Sequence, residues 1–205
     1  MIVYFSLSSL VLLFAVSLLG RTPSLGARSF AFLGDGEWRP RVARWFFIAS
    51  CLGILLLLIR QSFLLYTFWS HDALGRLWLP PHNQTYFFKY IGFRFFAPYL
   101  VSFIISLGFL KLAAFYNKKY EERFFYPEER YWGALALFLG GHPGWLVYLI
   151  VLLTAYLVFQ GVAQCFKRFR GERLPLYYFW LPAGIFAILV ETWLSQFPWW
   201  QKLFI

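Results

Sequence analysis

Five stretches of this chain, residues 2–19, 45–69, 91–116, 145–163 and 176–194, are apolar enough and long enough to cross a bilayer, and the basic residues lie almost wholly in the loops between them. A helix crosses ~30 Å of hydrocarbon with about 20 mostly apolar residues. Only helices and closed barrels satisfy every backbone donor and acceptor in lipid, so segments of this length point to helices. Of the 205 residues 60% are hydrophobic and 14% charged, which leaves too little polar surface to coat a soluble globule. Residues 1–205 therefore read as a single integral membrane domain. The stretch 2–19 lacks the basic flank of a secretory signal and reads as a retained span.

Charge placement sets the expected topology. The loop at 20–44 holds Arg21, Arg28, Arg39, Arg41 and Arg44, that at 117–131 holds Lys118, Lys119, Arg123 and Arg130, and that at 164–175 holds Lys167, Arg168, Arg170 and Arg173. Residues 70–90 offer only Arg76 and Lys89. If 131–159 were one span, the last two basic loops would face opposite sides. A short helix from about Trp132 to Gly140, a turn at Gly-Gly-His-Pro-Gly and a full span from Trp145 place all three on the cytoplasmic face, as the positive-inside bias requires. The expected fold is thus all-α, a polytopic membrane bundle of about six helices with the fourth short and both termini outside.

Most polar residues have structural explanations. Arg60 interrupts the second apolar stretch, but Gln61 and Ser62 follow it, so it either snorkels to the outer interface or pairs with Glu191 at a comparable depth of the last span. Arg94 and Lys111 are close enough to the ends of the third span to snorkel. His71, His82 and His142 are isolated, without metal-site spacing, and neither a metal nor a cofactor is implied. Asn83-Gln84-Thr85 spells a glycosylation sequon on the expected outer side. Tryptophans near span ends read as interfacial anchors. The basic loops would draw anionic lipid headgroups, at about 1 kcal/mol per basic residue near the surface. Charge in short juxtamembrane loops is not a nucleic-acid footprint. Cys51 and Cys165 make no disulfide framework.

The segment FFYPEERYWGALALFLGG, 124–141, carries more than topology. Pro127 suits a first helical position, and Glu128 and Glu129 suit a helix N-terminus. From Glu128 to about Ala187 the chain resembles the carboxyl-terminal half of the type IV prepilin peptidases, intramembrane aspartic peptidases with a GxGD motif. Glu128, Arg130 and Phe138-Leu139-Gly140 fall at the spacing of that family's aspartate, lysine and Phe-Leu-Gly, and FKRFRGERLP, 166–175, stands where the family has a basic loop before its last helix. Tyr126-Pro127 replaces the family glycines, and the Cys-x-x-Cys pairs of the methylating members are absent.

The resemblance implies a cytoplasm-facing pair of carboxylates in which Glu128 is one member, Asp35 or Glu37 the other, and Arg130 the neighbouring cation. Two such groups share a proton, so one activates water while the other donates to the substrate carbonyl. The implied substrate is a single-span membrane protein with a short basic leader. The extra methylene of glutamate and the rigidity of Pro127 favour a different reading, a noncatalytic bundle that assembles with or holds a partner helix. Gly133, Ala134, Ala136, Gly140 and Gly141 would give that partner a small-residue surface. Localisation in the cytoplasmic (inner) membrane follows if the source is prokaryotic.

The loop charges generate a direct test. Single cysteines placed in 20–44, 117–131 and 164–175, in a chain lacking Cys51 and Cys165, should react with an impermeant thiol reagent from the same side of the membrane. Labelling of 164–175 from the face opposite 117–131 would remove the short fourth helix.

Overall fold

Residues 2–19, IVYFSLSSLVLLFAVSLL, contain neither glycine nor proline and form one helix, α1 (Ile2–Leu19). The remaining elements are α2 (Trp38–His71), a 3-10 turn (Gly75–Trp78), α3 (Gln84–Ile91), a π-helical turn (Gly92–Phe96), α4 (Ala97–Lys119), α5 (Glu129–Cys165), α6 (Trp180–Leu194) and α7 (Pro198–Gln201). The computed structural model describes residues 2–19, 38–80, 84–120, 125–165, 176 and 179–202, with no strand among them. The expected all-α bundle is what forms.

α5 is two helices. Gly141 has φ 68° and ψ −179°, and His142 is extended at φ −98° and ψ 132°, so the helical ladder ends at Gly140 and restarts at Pro143 through a cis His142–Pro143 peptide. Contacts show that the chain reverses there. On the short arm, residues 129–140, Gly133 lies against Trp180 and Ala136 against Gly184; on the long arm, residues 143–165, Gly144 lies against Glu191 and Phe159 against Phe179. The short arm therefore runs with α6 and the long arm against it. This hairpin is the short fourth helix, the turn and the following span that the charges required.

The short arm is the centre of the bundle. Residues 132–139 are all buried, with Ala134 and Leu135 at 0% exposure, and a helix apolar on every side belongs inside. Phe138 packs edge-on against Phe47 of α2 and Tyr99 and Phe103 of α4. Gly133 admits Phe109 and Trp180, whose ring atoms lie 2.7 and 2.8 Å from where its Cβ would be. The small residues expected to receive a partner helix are thus consumed within the chain: they let its own large rings close in.

Several boundaries shift from those expected. α2 begins at Trp38 rather than 45, and at 34 residues it is about 51 Å long, more than a bilayer core requires. The stretch expected as an outer loop contains α3, whose Tyr86 and Phe87 meet Trp69 at the end of α2. Pro98, in the first turn of α4, has no N–H to donate, and the preceding ladder widens into the π turn. α6 starts at Trp180, four residues later than 176.

Three helical segments, Pro40–His71, Thr85–Lys119 and Glu129–Cys165, have the length and apolar character to cross a membrane, the last of them through its long arm, residues 143–165. Their outward residues are apolar too: Leu56, Phe63, Ile104, Ile150, Leu153 and Leu157 are 60–66% exposed. A surface of that kind is stable against lipid and not against water, and the chain is an integral membrane protein.

Glycine positions test this packing. Gly141→Ala must hold a side chain at positive φ and Gly133→Ala must displace two packed rings, each at a cost of about 1–3 kcal/mol. Gly108, with nothing within 4 Å of its Cβ position, should accept alanine without loss. Thermal unfolding of the purified protein in detergent should show lowered midpoints for the first two variants only.

Candidate functional site

Polar groups gather at the two ends of the short arm. Its lower end is built by a helix start whose parts the sequence supplies in order. The Tyr126 carbonyl accepts from Glu129 N–H at 3.0 Å, and the Tyr126 N–H donates to Glu129 Oε2 at 3.3 Å. Tyr126 and Glu129 thus close the turn that leads into α5, with Pro127 and Glu128 between them and the Glu129 carboxylate reaching back to the Tyr126 N–H in the manner of a capping box. Glu129 is 2% exposed and does structural work.

Glu128 differs. It is 6% exposed, its carbonyl accepts from Tyr131 and Trp132 N–H, and no hydrogen bond or ion pair among the described residues engages its carboxylate. Beside it Arg130 lies over the Tyr131 ring at 5.1 Å with its Nε buried and unpartnered, and Pro127 is exposed at the turn.

These carboxylates are recessed. Tyr99 against Gly141, Phe103 against Phe138 and Phe109 against Gly133 fix an antiparallel register that brings Glu129 level with about Ala113. α4 continues to Lys119, about six residues or roughly 9 Å further. The approach to Glu128 is pinned by Asn117, whose Nδ2 donates to the Phe125 carbonyl at 2.6 Å while Oδ1 accepts from Phe125 N–H at 3.0 Å. Phe125 then closes on Phe109 and Trp180, with ring centroids 6.4 and 5.9 Å away.

The upper end of the short arm opens into a cavity of about 710 Å³. Ser6 of α1, Gln61 of α2, Arg94 of the π turn, Tyr99 of α4, His142 of the reversal and Glu191 of α6 all line it. Trp145 Nε1 donates to His142 Nδ1 at 3.1 Å, which orients the imidazole. The Glu191 carboxylate lies directly on Gly144 at the start of the long arm, where any Cβ would collide with both of its oxygens. That is the N-terminal turn of a helix, a favourable place for a carboxylate.

The residues singled out in the sequence are distributed as follows. Glu128, Pro127 and Arg130 share the lower end. Glu191 is at the upper end, about 18 Å away along the short arm, too far to act with Glu128. Arg60 is exposed on α2 and does not line the Glu191 cavity; the cation that does is Arg94. Asp35, Glu37 and the sequon residue Asn83 lie outside the described residues. Among the described residues no three His, Cys, Asp or Glu side chains converge as metal ligands. The upper cavity was not visible as a motif, because nearly every element contributes a single polar side chain and only the fold gathers them.

The Gly144 contact yields a test. Gly144→Ala alone should lower the thermal midpoint in detergent, whereas Glu191→Ala removes the atoms the new methyl would meet. The double variant should therefore lose less than the sum, with a coupling of about 0.5–3 kcal/mol. Strict additivity would mean that Glu191 does not rest on Gly144. In comparisons with known proteins, no family, no curated protein and no solved structure matches this chain.

Proposed function

We propose that this protein is a prepilin-peptidase-like membrane bundle that holds a single-span partner with a basic leader and does not cut it. The observation that carries this reading is the division of labour between adjacent glutamates: Glu129 is engaged by the helix start, whereas Glu128 is recessed, buried and without a hydrogen bond or ion pair to its carboxylate among the described residues. An ionisable group in that position is expensive in a membrane protein and is retained where it meets a ligand. A lysine or arginine from a leader entering at the Lys119 end of α4 is the complementary group. The helix ends from which the three basic loops depart lie at that same end, which on the positive-inside bias faces the cytoplasm, across the cytoplasmic membrane if the source is prokaryotic. Anionic headgroups would gather there.

The second reading is peptidase action, favoured by the position of Glu128 where the resembled family has its aspartate. It requires a second carboxylate. Glu129 is held by Tyr126, so Asp35 or Glu37 would have to supply it.

One experiment separates the two. The full chain in lipid nanodiscs is mixed with a synthetic single-span peptide bearing a Lys-Arg leader, with binding followed by fluorescence anisotropy and cleavage by mass spectrometry. Binding without cleavage is expected. A charge-assisted hydrogen bond contributes about 1.5–3 kcal/mol, so Glu128→Gln should weaken binding about tenfold to a hundredfold, while Glu129→Gln keeps an acceptor for Tyr126 N–H and changes little. Cleavage that disappears in Glu128→Gln would establish the peptidase instead. Binding indifferent to Glu128→Gln, with no cleavage, would overturn both readings.

A further inference from the structure

The geometry points to the upper cavity as a binding site for a zwitterion that carries an ammonium and an anionic group, the chemistry of a phosphoethanolamine headgroup. The argument begins with charge. Glu191 is the acid and Arg94 the basic residue of the lining, and no ion pair joins them among the described residues. Opposite charges that share a cavity without closing on each other leave both ends of a zwitterion with a partner.

The neutral groups favour the ammonium end at Glu191. Thr192 Oγ1 donates to the Ile188 carbonyl at 2.8 Å, so its hydroxyl proton is committed to backbone and its oxygen presents lone pairs. Thr192 lines the cavity with Glu191. Ser6, 1% exposed, also lines it, and its Oγ is fully buried with no hydrogen-bond partner. A buried hydroxyl left unsatisfied costs about 1–3 kcal/mol, and a ligand in the cavity would recover it. An ammonium has three donors and no acceptor. A carboxylate surrounded by hydroxyl oxygens meets that requirement, and the guanidinium of Arg94 with the side-chain amide of Gln61 meets the anionic end.

The site is large enough for more than a headgroup. At about 710 Å³ it is in the range of small-molecule pockets, and Leu58, Leu139 and Ile188 give it apolar wall as well. The same ligand chemistry exists free in water and attached to a lipid, and a titration distinguishes the sources.

The purified full chain in maltoside detergent is titrated calorimetrically with dihexanoyl phosphatidylethanolamine, with its phosphatidylglycerol counterpart and with free O-phosphoethanolamine. Saturable one-site binding of the phosphatidylethanolamine is expected, at least tenfold tighter than the phosphatidylglycerol, and Glu191→Gln and Arg94→Gln should each weaken it tenfold or more. If free O-phosphoethanolamine binds as tightly, the ligand is a soluble zwitterion; if it binds much more weakly, the ligand is a lipid. Ser6→Ala, which leaves every charge in place, should weaken binding severalfold without lowering the thermal midpoint, and it carries the test if Glu191→Gln fails to fold. Equal binding of the two lipids, binding unchanged in the variants, or no binding of any probe would overturn the assignment.

Discussion

A chain that reverses direction within a membrane bundle must take a few backbone amides and carbonyls out of the helical ladder, and each one facing hydrocarbon would cost several kcal/mol. Here the reversal at Gly141 and His142 is surrounded by protein. Tyr99 covers Gly141, Trp145 donates to His142, and Glu191 lies on Gly144 at the start of the descending arm. The rest of the bundle depends on that enclosure. Because the turn is internal, the ascending arm can be short, and because it is short, it becomes the buried axis around which α1, α2, α4, the long arm and α6 are arranged.

The same reversal separates the chemistry into two compartments. At one end, two consecutive glutamates are withdrawn below the last turn of α4, one committed to starting the helix and the other not. At the opposite end, polar residues from most elements surround a cavity whose described lining holds one carboxylate, Glu191, and one guanidinium, Arg94. A carboxylate, Glu128 or Glu191, stands at each end, and the apolar short arm separates them. In the proposed function Glu128 meets the basic leader while the basic loops attract headgroups, and in the proposed ligand site Glu191 and Arg94 act at the scale of one small molecule.

Legibility in the sequence followed physical scale. The all-helical membrane character and the break near Gly140 could be read because they depend on apolar length and on where arginines and lysines sit, which the primary structure lists directly; of the five stretches read as long enough to cross, three lie in helical segments of that length among the described residues. Glu129 and Pro127 were legible as helix-start residues because capping is local. The cavity was not: Ser6, Gln61, Arg94, Tyr99 and Glu191 are far apart in sequence, and each alone looks like a snorkelling or incidental polar residue. The small residues at 133–141 were legible as a close-packing surface, but not whose ring would fill it; Trp180 and Phe109 of the same chain do so. α3 was hidden because a run of Tyr, Phe and Lys between apolar spans looks like an interfacial loop until its rings are seen packed beside Trp69.

The two bonds between Asn117 and the Phe125 backbone have a consequence for sequence tolerance. They tie the descending end of α4 to the chain two residues before Pro127. Only a side chain that carries both an N–H donor and an oxygen acceptor meets the two backbone groups of Phe125 together, so aspartate at 117 would lose one bond and leucine both. Substitution there is therefore narrowly confined, although Asn117 belongs neither to the buried short arm nor to the cavity lining.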